Sequence, residues 1–270
     1  MKKIITLILI IFTTTLISCK KEDYIIINEV KNYEVDVEEK ITISTVEDAL
    51  VQAISKAEQS VVGIICSTSS LLPSQAFGSG VIIAKKEITH LESKYYVITN
   101  RHVIWNNTKP YTNIEIYTGN SEQQFSAALV YYDKQADLAL ISFTSSKKFV
   151  VSEIADSSKL KKGRYVIAIG SPYDYEYLYN SVTVGNVSHP NRRYEEKNID
   201  GDKCYNIYIQ HDAAINPGNS GGGLFNINGE LLGINTWKIV STNKNEYIEG
   251  LGFSIPIDVI LNIVSSYIDK

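Results

Sequence analysis

The chain has 270 residues, 44% of them hydrophobic and 21% charged, with 26 Lys and Arg against 30 Asp and Glu, a formal net charge of -4. These ordinary globular values exclude a low-complexity or collagen-like chain and leave room for one large domain or two small ones. No concentrated basic patch marks a nucleic-acid partner. Eighteen tyrosines suit an all-β protein, since aromatic rings pack well on a pleated, half-buried surface.

Lys2 and Lys3 precede an apolar run from Ile4 to Ile17. As a helix it reaches about 21 Å, short of the ~30 Å hydrocarbon core, so residues 1–18 read as a signal peptide. The run ends Leu16-Ile17-Ser18-Cys19, which resembles a bacterial lipobox in which Cys19 is lipidated and becomes the mature N-terminus. The expectation is therefore a lipoprotein exported to the cell envelope and anchored to a bacterial membrane, on its periplasmic or surface face. Residues 19–45 read as a tether. The remaining cysteines, Cys66 and Cys204, have no spacing signature. A disulfide and two free buried thiols both stand as readings.

From Thr45 the pattern sharpens. Thr45-Val46-Glu47-Asp48 has the form of a capping box, and Val46, Leu50, Ile54 and Ala57 follow at helical spacing, predicting a short helix to about Gln59. Strand-like runs then follow at 61–65, 80–84, 95–99, 114–117, 125–132 and 138–143. A second series covers 165–170, 181–188, 204–210, 223–226, 231–236 and 252–255. The polar stretch 144–163 divides the two series. Ile257, Ile260, Leu261, Val264 and Ile268 form one stripe of a closing helix over 257–269. Helix, six strands, linker, six strands and helix predict two barrels of similar size, about 60–145 and 163–256.

The sharpest local signal is Asn216-Pro217-Gly218-Asn219-Ser220-Gly221-Gly222. Glycine on both sides of a serine permits a tight bend that pushes the hydroxyl outward. A serine hydroxyl is a weak nucleophile until a positioned base takes its proton, and that base is usually His. His102 stands at the end of the run Tyr95–Thr99, where a rigid strand can present an imidazole to a cleft. Asp137 heads the buried run Asp137-Leu138-Ala139-Leu140-Ile141 and can accept from that imidazole. The order His, Asp, Ser is that of the chymotrypsin fold.

Other candidates fit less well. Asp133 lies in a turn sequence, His90 and His189 in polar surface contexts. His211 and Asp212 sit too close to Ser220 in the chain to match a triad order, and Asp212 reads as a structural hydrogen-bonding residue. Tyr173, Tyr175, Tyr177 and Tyr179 alternate, so an extended loop would put four rings on one face, for docking or for self-packing.

Gly78-Ser79-Gly80-Val81-Ile82-Ile83, Ile98-Thr99-Asn100-Arg101-His102-Val103-Ile104, Asp137-Leu138-Ala139-Leu140 and Ala168-Ile169-Gly170-Ser171-Pro172 resemble HtrA/DegP-type trypsin-like proteases. So do Gln210-His211-Asp212-Ala213-Ala214-Ile215-Asn216 through Gly222 and Gly252-Phe253-Ser254-Ile255-Pro256. The resemblance covers residues 46–270. It implies a chymotrypsin-like pair of six-stranded antiparallel barrels, serine endopeptidase activity without metal or organic cofactor, and His102, Asp137 and Ser220 as triad. It further implies an oxyanion hole from the N–H groups of Gly218 and Ser220, with Asn219 as a further candidate, and a homotrimer as the assembly to test.

Gly223 stands where the family usually has Pro, the 171–179 loop is longer and more aromatic than usual, and a protein without the PDZ domains many members carry is expected. By the same resemblance Ala214, six residues before Ser220, lies at the bottom of the P1 pocket, with Ile234, Asn235, Thr236, Phe253 and Ser254 as walls. With no acid there, cleavage after small or aliphatic residues of unfolded or misfolded envelope proteins is expected. The rival expectations are a chaperone-like binding protein with a resting site and a processing protease of narrow specificity.

Overall fold

In the computed structural model, which describes residues 43–68, 75–106, 108–119, 124–171, 179–197, 203–238 and 250–268, each of the twelve strand-like runs lies in a strand, Asn226 alone falling just outside. The signal peptide, Cys19, nearly all of the tether, and Tyr173, Tyr175 and Tyr177 lie outside the described residues.

The first barrel uses β1 (Val61–Ser67), β2 (Gln75–Glu87), β3 (Ser93–Asn100), β6 (Asn113–Tyr117), β7 (Gln124–Asp133) and β8 (Leu138–Ser145). They close antiparallel in the order β1-β2-β3-β8-β7-β6. Two-residue strands β4 (Trp105–Asn106) and β5 (Lys109–Pro110) form a small arm after β3. The second barrel uses β9 (Tyr165–Gly170), β10 (Ser181–Lys197), β11 (Lys203–His211), β12 (Gly223–Phe225), β13 (Leu231–Lys238) and β14 (Gly252–Pro256), closed as β10-β11-β14-β13-β12-β9.

Three strands explain why the apolar runs are continuous rather than alternating. On β3, Tyr95 and Val97 point into the first barrel while Tyr96 and Ile98 join the core between the barrels. On β8, Ala139, Ile141 and Phe143 point inward and Leu138 and Leu140 outward to the same shared core. On β9, Val166 and Ala168 fill the second barrel and Ile167 and Ile169 face the first. A strand with both faces buried needs apolar residues at every position. Burying each large aliphatic side chain contributes about 1.5–3 kcal/mol, so the barrel interface stabilises the fold alongside the barrel interiors.

Helices α1 (Ile43–Ala57) and α2 (Ile257–Ile268) pack Ala53, Ala57, Ile257, Ile260 and Val264 onto that shared core. The first helix starts at Ile43, so Thr45 lies inside the first turn and does not cap it, a correction to the capping-box expectation. The linker straps the barrels together: Ser152 N–H donates to Ile82 O at 2.8 Å, and Leu231 exchanges bonds with Glu153 O (2.7 Å) and Ala155 N–H (3.0 Å). Tyr179 is not on an open face. Its hydroxyl donates to Val61 O at 3.0 Å and its ring meets Tyr117 edge-on at 5.4 Å. Cys66 is a free, buried thiol in the first barrel, pushed up to about 12 by burial and the nearby Glu115.

Candidate active site

The ladder between β3 and β8 ends with Asn100 opposite Leu138. The next residues outward, Arg101 and Asp137, continue the approach, with Arg101 N–H donating to Asp137 O at 3.0 Å and Asn100 Nδ2 to the same oxygen at 3.1 Å. Register alone therefore brings His102 and Asp137 together at the end of two paired strands. Asp137 adopts φ of 53°, left-handed backbone that Asp tolerates better than most residues.

The Asp137 carboxylate accepts from three donors. His102 N–H reaches Oδ1 at 3.0 Å, His102 Nδ1 lies 2.6 Å from Oδ2, and Thr236 Oγ1 donates to Oδ2 at 3.3 Å. With a carboxylate acceptor, Nδ1 carries the imidazole proton and Nε2 keeps its lone pair. Burial by itself lowers the imidazole's pKa, but the hydrogen bond and charge of Asp137 outweigh it and hold His102 above its ordinary value.

Ser220 belongs to the turn between β11 and β12, which the second barrel supports. Asn219 N–H donates to Asn216 O at 3.0 Å and Gly222 N–H to Asn219 O at 2.9 Å. Gly218 and Gly221 have φ of 96° and 82°, and a Cβ on Gly221 would sit on the Ser79 carbonyl oxygen and the Thr99 hydroxyl. Ser220 Oγ donates to Thr236 O at 3.0 Å rather than to His102. Thr236 thus touches both Ser220 and Asp137, which places the hydroxyl and the carboxylate one residue apart in space.

The first barrel grips the same turn through Ser79, which is fully buried. Its N–H donates to Ser220 O (2.9 Å), its hydroxyl donates to Gly218 O (2.6 Å) and accepts from Ser171 N–H (2.8 Å), and its carbonyl accepts from Thr99 Oγ1 (2.7 Å). In the sequence Ser79 is visible only as part of the motif Gly78–Ile83, with no role of its own. A small polar residue between two glycines, on a strand facing the Ser220 turn, is the signal that the sequence offers. Arg101 was also missed. It is buried, with its guanidinium 4.2 Å from the Trp105 ring and 5.6 Å from that of Tyr132, bracing the segment that carries His102.

The other expected site residues fall differently. Asn219 N–H is spent within the turn, whereas among the described residues no acceptor is bonded to the N–H of Gly218 or Ser220. Ala214 is exposed, its carbonyl accepting from Thr183 Oγ1 at 2.8 Å. Ile234 and Asn235 are fully buried in β13, behind the turn that carries Ser220. Asp133 caps its own turn by accepting from Ala136 N–H at 2.7 Å, and Asp212 accepts from Asn186 N–H, so both carboxylates hold backbone. Among the described residues, no group of three or more His, Cys, Asp or Glu stands where it could hold a metal ion, and no helix is long and apolar enough to cross a membrane.

Residues 78–234, more than half of the chain, match the trypsin-like peptidase domain family. The chain belongs to this family. It is 39% identical over 189 residues to Serine protease Do-like HtrA of Lactococcus lactis subsp. lactis (strain IL1403), covering 70% of this chain and 44% of that protein. It is 38% identical over 194 residues to Periplasmic serine endoprotease DegP of Escherichia coli (strain K12), covering 72% and 36%. Over 216 residues it is 36% identical to Serine protease Do-like HtrA of Bacillus subtilis (strain 168), covering 80% and 44%. The chain thus spans less than half the length of these relatives. Among solved structures, the HtrA-type protease AlgW with a tripeptide superposes with a TM-score of 0.63 at 29% identity, covering 82% of this chain and 64% of that one. The two closed barrels are those of the chymotrypsin-like fold.

Proposed function

We propose that this protein is a serine endopeptidase in which Ser220 attacks a peptide carbonyl, His102 takes its proton and returns it to the leaving amine, and Asp137 orients His102. The observation that carries this reading is the chain of contacts from His102 through Asp137 and Thr236 to Ser220, assembled from both barrels. Asp137 fixes the Nδ1–H tautomer, so Nε2 is the base, and it stabilises the imidazolium formed on proton transfer. For proton transfer the Ser220 hydroxyl must turn from Thr236 O toward Nε2. Catalytic hydrogen bonds commonly tighten only when substrate arrives. The N–H groups of Gly218 and Ser220 serve as oxyanion donors; losing one such donor typically costs about 10²–10³ in rate.

The substrates are unfolded or misfolded polypeptides of the cell envelope, cut after small or aliphatic residues, since Ala214 offers no charge to a P1 side chain. The N-terminal pattern supports export and a lipid anchor on Cys19, and the relative named a periplasmic endoprotease is in keeping with it. Replacing Cys19 with Ala moves the protein from the membrane fraction to the soluble one if the anchor exists. The homotrimer implied by resemblance is tested by light scattering of the detergent-solubilised chain.

Degradation of unfolded β-casein by the full chain, beside Ser220→Ala, tests the activity, and the termini of the fragments give the P1 preference. Cleavage by both proteins, or after Arg or Glu, contradicts the assignment. The bond from Ser220 Oγ to Thr236 O also favours a second reading, a binding protein whose site rests uncommitted. Casein retained without cleavage, and no labelling of Ser220 by a fluorophosphonate, is the result that reading expects.

A further inference from the structure

Behind the nucleophile turn, three side chains without solvent exposure form a polar line through the second barrel: His211, Ser254 and Asn235. Asn235 Nδ2 donates to Gly223 O at 2.9 Å, Asn235 Oδ1 accepts from Ser254 Oγ at 2.9 Å, and Ser254 Oγ lies 3.0 Å from His211 Nε2. Counting protons leaves one arrangement. The amide NH2 of Asn235 must face the Gly223 carbonyl, so its oxygen faces Ser254. Ser254 spends its single hydroxyl proton on that oxygen and can only accept from the imidazole. His211 is therefore the neutral Nε2–H tautomer, with the lone pair on Nδ1.

Two further observations fit. Burial pushes His211 down to about 4, against the smaller opposing effects of the Ala213 backbone and the Asp212 charge, so the imidazole stays neutral at ordinary pH. Gly252, opposite His211 in the β11–β14 register, leaves the space the ring fills; a Cβ there would lie 2.6 Å from Cε1.

The line ends on the residues next to Ser220. Asn235 N–H donates to Gly222 O and Asn235 O accepts from Gly221 N–H, both at 2.8 Å. With the Nδ2 bond to Gly223, one residue holds all three glycines that follow the nucleophile. The bonds to Gly221 and Gly222 are backbone to backbone, and the Nδ2 bond to Gly223 is the one that the Asn235 side chain adds.

We propose that His211 is a positioning residue for acyl transfer: as a buried Nε2–H donor it locks Ser254, Ser254 locks Asn235, and Asn235 holds Ser220 in register with His102. This inference rests on the serine endopeptidase reading and deepens it. A residue here that merely filled space would be replaceable by any side chain of similar volume. A proton donor would not.

The test uses the full chain and His211→Leu, His211→Gln, Ser254→Ala and Gly252→Ala, with Ser220→Ala as the inactive reference. Hydrolysis is followed on a fluorogenic peptide taken from a casein site that the wild type cuts. His211→Leu and Ser254→Ala are expected to lose about 10- to 100-fold in kcat with KM within about twofold, the signature of a displaced reacting group. His211→Gln, whose amide N–H can stand where Nε2–H stood, is expected to recover most of that loss. Gly252→Ala keeps His211 but displaces the ring, and is expected to behave like His211→Leu.

Wild-type kcat in both His211→Leu and Ser254→Ala overturns the proposal, as does equal loss in His211→Gln and His211→Leu. If His211→Leu fails to fold, Ser254→Ala and Gly252→Ala decide the same point. Long-range 1H–15N spectra of the wild type supply an arm independent of activity: His211 should show the Nε2–H tautomer between about pH 5 and 7, above the value of about 4 to which burial lowers it. An Nδ1–H tautomer or an imidazolium in that range overturns the proposal. A wild type as inactive as Ser220→Ala refutes the endopeptidase reading instead, while the spectra still decide the hydrogen-bond line.

Discussion

Replacing Ser79 with Ala tests whether the first barrel shapes the nucleophile turn or only packs beside it. The change removes one hydroxyl that makes two bonds, to Gly218 O at 2.6 Å and from Ser171 N–H at 2.8 Å, and leaves both backbone groups inside the protein. A buried partner stranded in this way costs about 1–3 kcal/mol, so the pair amounts to about 3 kcal/mol. For a domain of this size 1 kcal/mol moves Tm by about 2–4 °C, giving a fall of about 6–12 °C. Activity should fall further than stability explains. The Gly218 carbonyl anchors the residue whose N–H is the proposed oxyanion donor, and at a temperature where the variant is fully folded kcat should drop at least about tenfold, toward the loss seen when a donor is removed. Calorimetry gives the first quantity and steady-state peptide hydrolysis the second. A variant with lowered Tm and kcat within about twofold of wild type would show that Ser79 is structural alone, and would refute the reasoning.

Asp137→Asn keeps the shape of the site but presents an amide to His102, favouring the wrong tautomer; kcat is expected to fall about 10⁴-fold, the loss that the same substitution causes in a triad of this type, with the fold intact by circular dichroism. In the wild type the acid limb of kcat/KM against pH should lie above the ordinary imidazole value, because Asp137 raises His102 and only the neutral base accepts the serine proton. The same raised value means that the His102–Asp137 interaction stabilises the fold fully at pH below the unfolded imidazole's pKa and loses that contribution as pH rises through the folded one. His211 has the opposite sign: lowered to about 4 against about 6.5 unfolded, it makes the fold lose about 3 kcal/mol as pH falls from 6.5 to 4, and urea titrations of His211→Gln should lack that portion. Leu140→Ala and Ile141→Ala each empty a fully buried site at a cost of about 2–5 kcal/mol, but Leu140 lies between the barrels and Ile141 within one, so Leu140→Ala should reduce kcat more at matched stability.

The strands and the relative order of His102, Asp137 and Ser220 were legible because each depends on short-range pattern: apolar runs, and glycines around a serine. What escaped depends on partners distant in the chain. Thr236 read as a pocket wall, yet it joins Ser220 to Asp137, a role fixed by β13 passing beneath both. The strand-like run 181–188 ends at Ser188, before His189-Pro190, and proline cannot donate to a ladder. Strand β10 continues to Lys197 because register shifts around His189 and before Arg192 absorb the proline in bulges.

The nucleophile turn belongs to neither barrel alone. From the first come Ser79, which holds the carbonyls of Gly218 and Ser220, and the His102–Asp137 pair at the end of β3 and β8. From the second come Thr236, where the Ser220 hydroxyl is parked, and Asn235, which holds the three glycines behind it. Neither set would define the position of Ser220 by itself, because a turn with three glycines in the seven residues 216–222 has little conformational preference of its own. The geometry that the proposed acyl transfer needs is therefore a property of the contact between the barrels. The apolar residues of β3, β8 and β9 that bury both faces build the shared core against which His102 and Ser220 are held.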